Sequence, residues 1–475
     1  MRNFASVQQG CLFFSQFTAF LLIVLCLVGC SSKDYGNAGD GANPSCRCDG
    51  DVIISNEAAI MGYAESISYV PGDIVSLYVS SITSHYDLKL IQKNSQNPAV
   101  IEEWSADNGF QQNYNACAFE SGCKWEITDS IQIPLNASSG YYSIQLKNDS
   151  GKFQVPLIVR SLESSRILCV ASTNTWHAYN AFGGASFYRF DHPDLECEKY
   201  FSERISLNRP LSNLQGGKDY VGHLFQAELG LIHWLDSLDY MFDVVTDNDL
   251  SNDPSILLNY DLVLLNTHSE YWTEMALDGL DEHLNRGGSL GYLGANGLYW
   301  KVTSEGDVLE CQKEGKVHVS DGTPGGKWCD LSRPESQVLG VKYTSAGYKT
   351  FMPYVVLNES HWLFDGTNLK NGDLFGESLN RRFASGHETD KVDQYSPKNL
   401  EIIARGLNQD RIDEFGLDGA DRKGGADMVF YQTESGGFVL ATGSLTSGGS
   451  MLLDSSMSRI VANFISHTLE ESGTD

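Results

Sequence analysis

Between Arg166 and Trp300 short apolar runs alternate with helix-like segments, and this alternation constrains the fold more than any other feature. Ile167-Leu168-Cys169-Val170-Ala171 reads as a buried strand. Gly222 to Leu238 spaces Phe225, Leu229, Ile232 and Leu235 along one helical face. Met241–Val245 reads as a strand, and Asp253–Asn259 as a short helix with Asp at the cap and Pro254 at the first position. Asp261 then opens Leu262-Val263-Leu264-Leu265, an apolar run suited to a strand buried on both faces. A helix from Thr273 to Asn285 stops at Gly287-Gly288, and Leu290–Leu293 reads as the next strand. Further strands are expected at Leu400–Ala404, Met428–Gln432 and Phe438–Thr442, with a closing helix from Ser455 to Leu469. The expected class over 165–472 is α/β, a doubly wound and mostly parallel sheet.

In open parallel sheets ligands bind beyond the carboxyl ends of the strands. Three such ends carry chemistry: Ser172-Thr173-Asn174-Thr175-Trp176-His177-Ala178-Tyr179-Asn180, running on to Gly183-Gly184 and Tyr188; His268-Ser269-Glu270-Tyr271-Trp272; and Gly294-Ala295-Asn296-Gly297-Leu298-Tyr299-Trp300. Singly, each has an ordinary explanation. The tryptophans suit packing between loops, His268-x-Glu270 suits a loop ion pair, and Gly183-Gly184 suits a turn. Together they gather carboxylate and phenol oxygens, a hard anionic set that fits Fe(III). A bound cation would also lower a phenol pKa enough to ionise it. No Gly-x-Ser-x-Gly elbow, phosphate loop, GxGxxG fingerprint or paired CxxC occurs at these ends. Metal-assisted hydrolysis or simple ligand binding remains.

Residues 51–160 show short period-2 runs punctuated by turn residues, the pattern of a β-sandwich of about a hundred residues. Upstream, an apolar run from Phe13 ends in Leu27-Val28-Gly29-Cys30-Ser31, which resembles a bacterial lipobox. The expectation is a signal peptide at 1–29, lipid on Cys30, a flexible tether over 30–50, and Ser31 directing the chain to the outer membrane; a single membrane anchor is the alternative. A net charge of −28 argues against nucleic acid and against anionic lipid surfaces as partners. Of eleven cysteines, Cys11 and Cys26 leave with the signal and Cys30 carries the lipid, leaving an even eight. In an exported chain that suggests disulfides, with Cys117–Cys123 and Cys311–Cys329 as short-loop candidates.

The three strand-end motifs, together with Gly386-His387-Glu388-Thr389-Asp390, resemble the C-terminal region of the N,N-dimethylformamidase large subunit. The resemblance runs over about 166–470, and the sandwich is similar to that family's upstream module. It implies a glutamine-amidotransferase-like α/β domain behind an immunoglobulin-like sandwich. It also implies a mononuclear iron held by two tyrosinates and a glutamate. Glu270 matches the carboxylate. Tyr179 and Tyr188 are the tyrosine candidates, with Tyr142 an alternative for one of them. His268 and Asn296 match pocket residues, and Glu388 matches the general base. The implied substrate is a small amide, and a small partner subunit or a homo-oligomer is the implied assembly. Tyr271 is expected to pack beside Trp272. The competing readings are a non-catalytic surface protein on the same scaffold and a glycan hydrolase using the carboxylates as an acid/base pair.

Overall fold

Nine strands of the described residues form one sheet, in the spatial order Asp243–Thr246, Ile167–Ala171, Leu262–Thr267, Ser289–Gly294, Phe438–Ala441, Asp427–Gln432, Glu401–Gly406, Tyr354–Val356, Leu374–Phe375. The computed structural model describes residues 51–188, 202–215, 220, 222–313, 315–345, 348–376, 383–407 and 425–471. The expected signal peptide, Cys30 and the tether lie outside them. No helix among the described residues is long and apolar enough to cross a membrane.

The first five strands in space are mutually parallel. Alternate residues feed opposite faces, as the period of two requires. Ile167, Cys169, Leu262 and Leu264 enter one core, while Leu168, Val170, Val263 and Leu265 enter the other. Each such side chain stabilises the fold by ~1.5–3 kcal/mol relative to an exposed one. Phe225–Ser237 and Ser455–Glu471 cover the first face, and Glu274–Asn285 the second. Thr273 caps the last of these helices by accepting from Ala276 N, and Gly287, at φ +89°, ends it.

The other half of the sheet is antiparallel. Asp427–Gln432 and Phe438–Ala441 are joined by a short hairpin, which leaves no room for the crossover that parallel strands need. The sheet is therefore mixed, where the sequence pattern predicts a mostly parallel one.

Residues 51–160 hold a five-stranded sheet (Ser68–Tyr69, Gly151–Val159, Gly140–Asn148, Tyr86–Gln92, Ala99–Ala106) and a three-stranded one (Ile60–Ala64, Ile74–Ser81, Asp129–Gln132). Val75, Leu77 and Val79 from the smaller sheet share one core with Leu88, Leu90, Ile144 and Leu146 from the larger. This layer is joined to the α/β layer by polar contacts. Tyr141 Oη donates to Glu228 Oε2 at 2.7 Å, and Val244 N donates to Ser139 Oγ at 2.8 Å.

The expected short-loop disulfides do not form. Cys123 and Cys311 are buried free thiols. Cys117, in a segment that folds as the short helix Ala118–Ser121 rather than a loop, is disulfide-bonded to a partner other than Cys123. Cys169 is a buried core thiol.

Candidate active site

The site is assembled at the carboxyl ends of neighbouring parallel strands. Ile167–Ala171 has Asp243–Thr246 on one side and Leu262–Thr267 on the other, so chain order reverses beside it. That is the switch point where such sheets bind ligands. Ile167–Ala171 leads into the helix Thr173–Ala178, whose C-cap is Tyr179. Leu262–Thr267 leads into His268 and Glu270, and Ser289–Gly294 into Asn296. Glu388 precedes the strand Thr389–Lys391, and Thr389 bridges to Ser444 just past the end of Phe438–Ala441.

The backbone at these ends is strained. Thr267 (φ 55°), Asn296 (φ 52°), Leu298 (φ 48°) and His387 (φ 63°) all adopt left-handed conformations. For a β-branched residue such as Thr this is an outlier, and each position costs ~1–3 kcal/mol that the surroundings must offset. Asp390 supplies part of the compensation. Its Oδ1 accepts from Asn296 N at 2.9 Å, and its Oδ2 from Tyr292 Oη at 2.8 Å. Gly294 permits the closest approach, because a Cβ there would stand 2.3 Å from Thr267 O.

All six residues singled out by sequence converge. Tyr179 Oη donates to Glu270 Oε2 at 3.1 Å, and Tyr188 Oη donates to Glu270 Oε1. The two phenol rings lie 4.3 Å apart. His268 Nε2 stands 3.2 Å from Glu270 Oε2 and 3.5 Å from Glu388 Oε2. Asn296 Nδ2 donates to Glu388 Oε2 at 3.0 Å. Glu270 is pinned through its backbone, its N–H donating to Thr175 Oγ1 at 3.2 Å and its carbonyl accepting from Tyr299 N and Trp300 N, each at 3.0 Å. Tyr188 keeps 42% of its surface open and marks the outer wall. Tyr142 does not belong here. It sits in the sandwich core with its hydroxyl on Ser138 O, so it is not the second phenol.

Burial sets the charges. It holds the His268 imidazole well below its ordinary pKa, with His223 and His387 adding to the effect, so the ring is neutral. Burial, and then the Glu270 carboxylate beside it, push Glu388 up to about 8. Burial of their hydroxyls, and then Glu270, also raise the Tyr179 and Tyr188 phenols well above their usual value, although the rest of the Tyr188 side chain is open. Both phenols thus hold their protons and donate them to Glu270.

Does this donor set fit a metal? Among the described residues no group of three His, Cys, Asp or Glu side chains is placed to hold one. A metal here depends on the tyrosines. Two phenol oxygens and a carboxylate on a common centre are hard, anionic donors of the kind Fe(III) prefers. A cation between them would replace the phenol protons and reverse the direction of the pKa shift. The rim is also short of partners, since both ring nitrogens of His268, Asn296 Oδ1 and Tyr271 Oη make no hydrogen bond among the described residues. Buried polar atoms left this way point to a missing ligand. The residues fit.

Sequence reasoning missed three contributors. His223 meets the rings of Tyr179 (4.6 Å) and His268 (5.5 Å) edge-on, yet in the sequence it is a lone histidine before an amphipathic helix. Thr175 and Asp390 lie within the quoted motifs, but their roles rest on contacts to the Glu270 and Asn296 backbone and to Tyr292 that the sequence does not encode. Tyr271 packs as a buried ring against Phe187 and Tyr188, beside rather than among the carboxylate's phenol partners.

Residues 93–456 match the family described as N,N-dimethylformamidase beta subunit-like, C-terminal. The chain belongs to this family. The N,N-dimethylformamidase beta subunit-like match takes in all six converging residues and begins within the sandwich, upstream of the 166–470 span legible from the motifs. The chain is 24% identical over 452 residues to proteins named N,N-dimethylformamidase beta subunit from Alcaligenes sp. and Paracoccus aminophilus. The alignments cover 78% of this chain and 58% of each relative, so the chain spans a little over half the length of the curated relatives it matches. Among solved structures, a DUF4784 family protein from Bacteroides caccae shows 14% identity over 24% of this chain and 25% of its own, with a TM-score of 0.13.

Proposed function

We propose that this chain is a hydrolase of a small amide-like C–N bond, with iron held by Tyr179, Tyr188 and Glu270 and with Glu388 as general base. The observation that carries this reading is the convergence of two phenols on one carboxylate, 3.2 Å from a neutral buried imidazole that also faces a second carboxylate. The family's curated relatives are named for an amidase, which supports the same bond class.

Iron, when bound, supplies Lewis-acid polarisation of the amide carbonyl. The protein's own groups do the rest. Glu388 takes a proton from water as the oxygen attacks the carbonyl carbon, and a pKa near neutrality suits a group that must accept and return a proton. Asn296 Nδ2 orients Glu388 before attack. The His268 N–H and the Asn296 amide are placed to receive the charge that develops on the carbonyl oxygen. The proton on Glu388 then passes to the departing nitrogen, the C–N bond breaks, and a carboxylic acid and an amine leave.

The test is turnover of N,N-dimethylformamide and other small acyclic amides by iron-loaded protein, compared with Glu388→Gln loaded to the same iron content. Hydrolysis by the parent chain that falls by about 10²–10⁴-fold in Glu388→Gln supports the reading. Equal rates in the two proteins would refute it.

A further inference from the structure

A second cavity, of about 160 Å³, lies behind the Asn296 loop between the helices Glu274–Asn285 and Ser336–Leu339. Leu277, Leu298, Pro334 and Val338 give it apolar walls, Asp281, Arg333 and Glu335 supply the charge, and Gln337 adds one neutral amide. Arg333 is already engaged. Its guanidinium donates to Asp278 at 2.7 Å and Asp281 at 2.6 Å and lies 5.3 Å from the Trp328 ring. Glu335 is not. It is 3% exposed, it lines the cavity, and no other described residue donates to its carboxylate, which burial lifts to about 7 against a partial offset from its own backbone N–H. The cation Lys342, whose field reaches Glu335, stands 3.7 Å from Asp393.

A buried carboxylate without a donor is costly, so its occurrence in a cavity calls for a ligand that donates. Water alone fits poorly. The space is about ten times what one water needs, and a full complement of waters, each wanting two to four polar partners, would share four polar side chains, of which Asp281 and Arg333 already pair with each other, against four apolar ones. A bare divalent cation fits no better, because it needs six or more oxygens and Asp281 is spent on Arg333. An anion would meet Glu335 with Arg333 already neutralised. What matches the walls is an apolar body carrying a positively charged N–H donor.

We propose that this cavity binds a small organic cation, a short alkylammonium, whose ammonium group donates to the Glu335 carboxylate while its alkyl chain packs on Leu277, Leu298 and Val338. The site is separate from the Glu270 cluster and does not depend on the reaction proposed above. Leu298, two residues beyond Asn296, lines this cavity and packs in the core on its side of the sheet.

The experiment titrates propylammonium chloride into the full chain and follows thermal stability and tryptophan fluorescence, with sodium chloride and 1-propanol as controls. The expected result is a saturable rise in Tm and a fluorescence change for propylammonium alone, with Trp328 the nearby reporter. Glu335→Gln weakens binding about tenfold or more, the loss expected when a charge-assisted hydrogen bond becomes a neutral one. Val338→Phe, which fills the cavity while keeping the Glu335 carboxylate, abolishes the response. Glu270→Ala leaves it intact. The proposal is overturned by no saturable response in the parent chain, by an equal response to sodium chloride, or by undiminished binding in Glu335→Gln or Val338→Phe. It is also overturned by a response lost in Glu270→Ala, which would place the ammonium in the other cluster.

Discussion

Glu228 and Glu270 are both buried glutamates beneath the same strand ends, and they are built in opposite ways. Glu228 is fully satisfied. Its oxygens accept from Tyr141 Oη and Trp176 Nε1, each at 2.7 Å, and its carbonyl accepts from Asn266 Nδ2 at 2.8 Å. Close by, Asp247 accepts from Thr173 Oγ1 and from Asn174 N. Glu270 instead shares its oxygens with two phenols and faces an imidazole whose nitrogens find no hydrogen bond among the described residues, under a backbone strained at Thr267. A satisfied buried network makes one structure rigid, whereas an under-satisfied one stores the capacity to bind. Burial alone would have ranked the two glutamates as equals, and the accounting of partners separates them.

The sharpest way to break this contrast is to remove each carboxylate in turn. Glu270→Ala should lose iron and turnover by more than the ~10–100-fold that follows loss of a partner supporting a metal ligand; because it also strands the Tyr179 and Tyr188 hydroxyls, iron per folded chain and not Tm is the readout. Glu228→Ala should keep its iron. It strands the Tyr141 hydroxyl and the Trp176 N–H without an acceptor, at ~1–3 kcal/mol for each group, while the folded fraction still binds iron. Equal loss of iron in both variants, measured by metal analysis of the folded fraction, would erase the distinction.

Within the cluster, Asn296→Ala should lower kcat by about 10²-fold, the scale of one lost oxyanion donor. If Asn296 only props Glu388, the loss should instead appear as a shifted pH–rate profile at nearly unchanged maximal kcat.

The smallest effect is on pH-dependent stability. Burial raises Glu228 to about 7 and Asp247 to about 8 in the folded chain. Both groups bind a proton more tightly folded than unfolded. Their contribution to stability is complete below about pH 4, near the unfolded carboxylate pKa, and is lost as the pH rises through 7 and 8. Tm should therefore fall between pH 5 and 8, and Asp247→Asn should flatten that fall. A parent Tm that rises over this range by the same amount as the variant's would contradict the assignment.

Much of this molecule was legible because its strands obey simple rules. Ile167–Ala171 and Leu262–Thr267 announced themselves as apolar runs ending in polar residues, and Thr273 and Gly287 bounded their helix as capping chemistry dictates. The antiparallel half was harder to read. Tyr354–Val356 and Leu374–Phe375 are too short to show a period, and strand direction at Asp427–Gln432 depends on a hairpin rather than on composition. Side chains that bear chemistry, such as Glu270 and Glu388, stood out in their motifs. His223 and Glu335 did not, because their placement is set by loops that approach one another only in three dimensions. The cysteines misled for the same reason. Cys311 lies beneath the site in the cluster with Tyr271 and Trp300, where burial explains it without any pairing.

The central claim is that Tyr179, Tyr188 and Glu270 form one iron site. Its most direct test is the iron content and visible absorption of the purified chain after iron reconstitution, alongside Tyr179→Phe and Tyr188→Phe. The account predicts about one iron per chain with a tyrosinate-to-iron charge-transfer band that shifts or fades when either phenol is removed. A parent protein that takes up no iron and stays colourless, or a band unchanged in both variants, would contradict it.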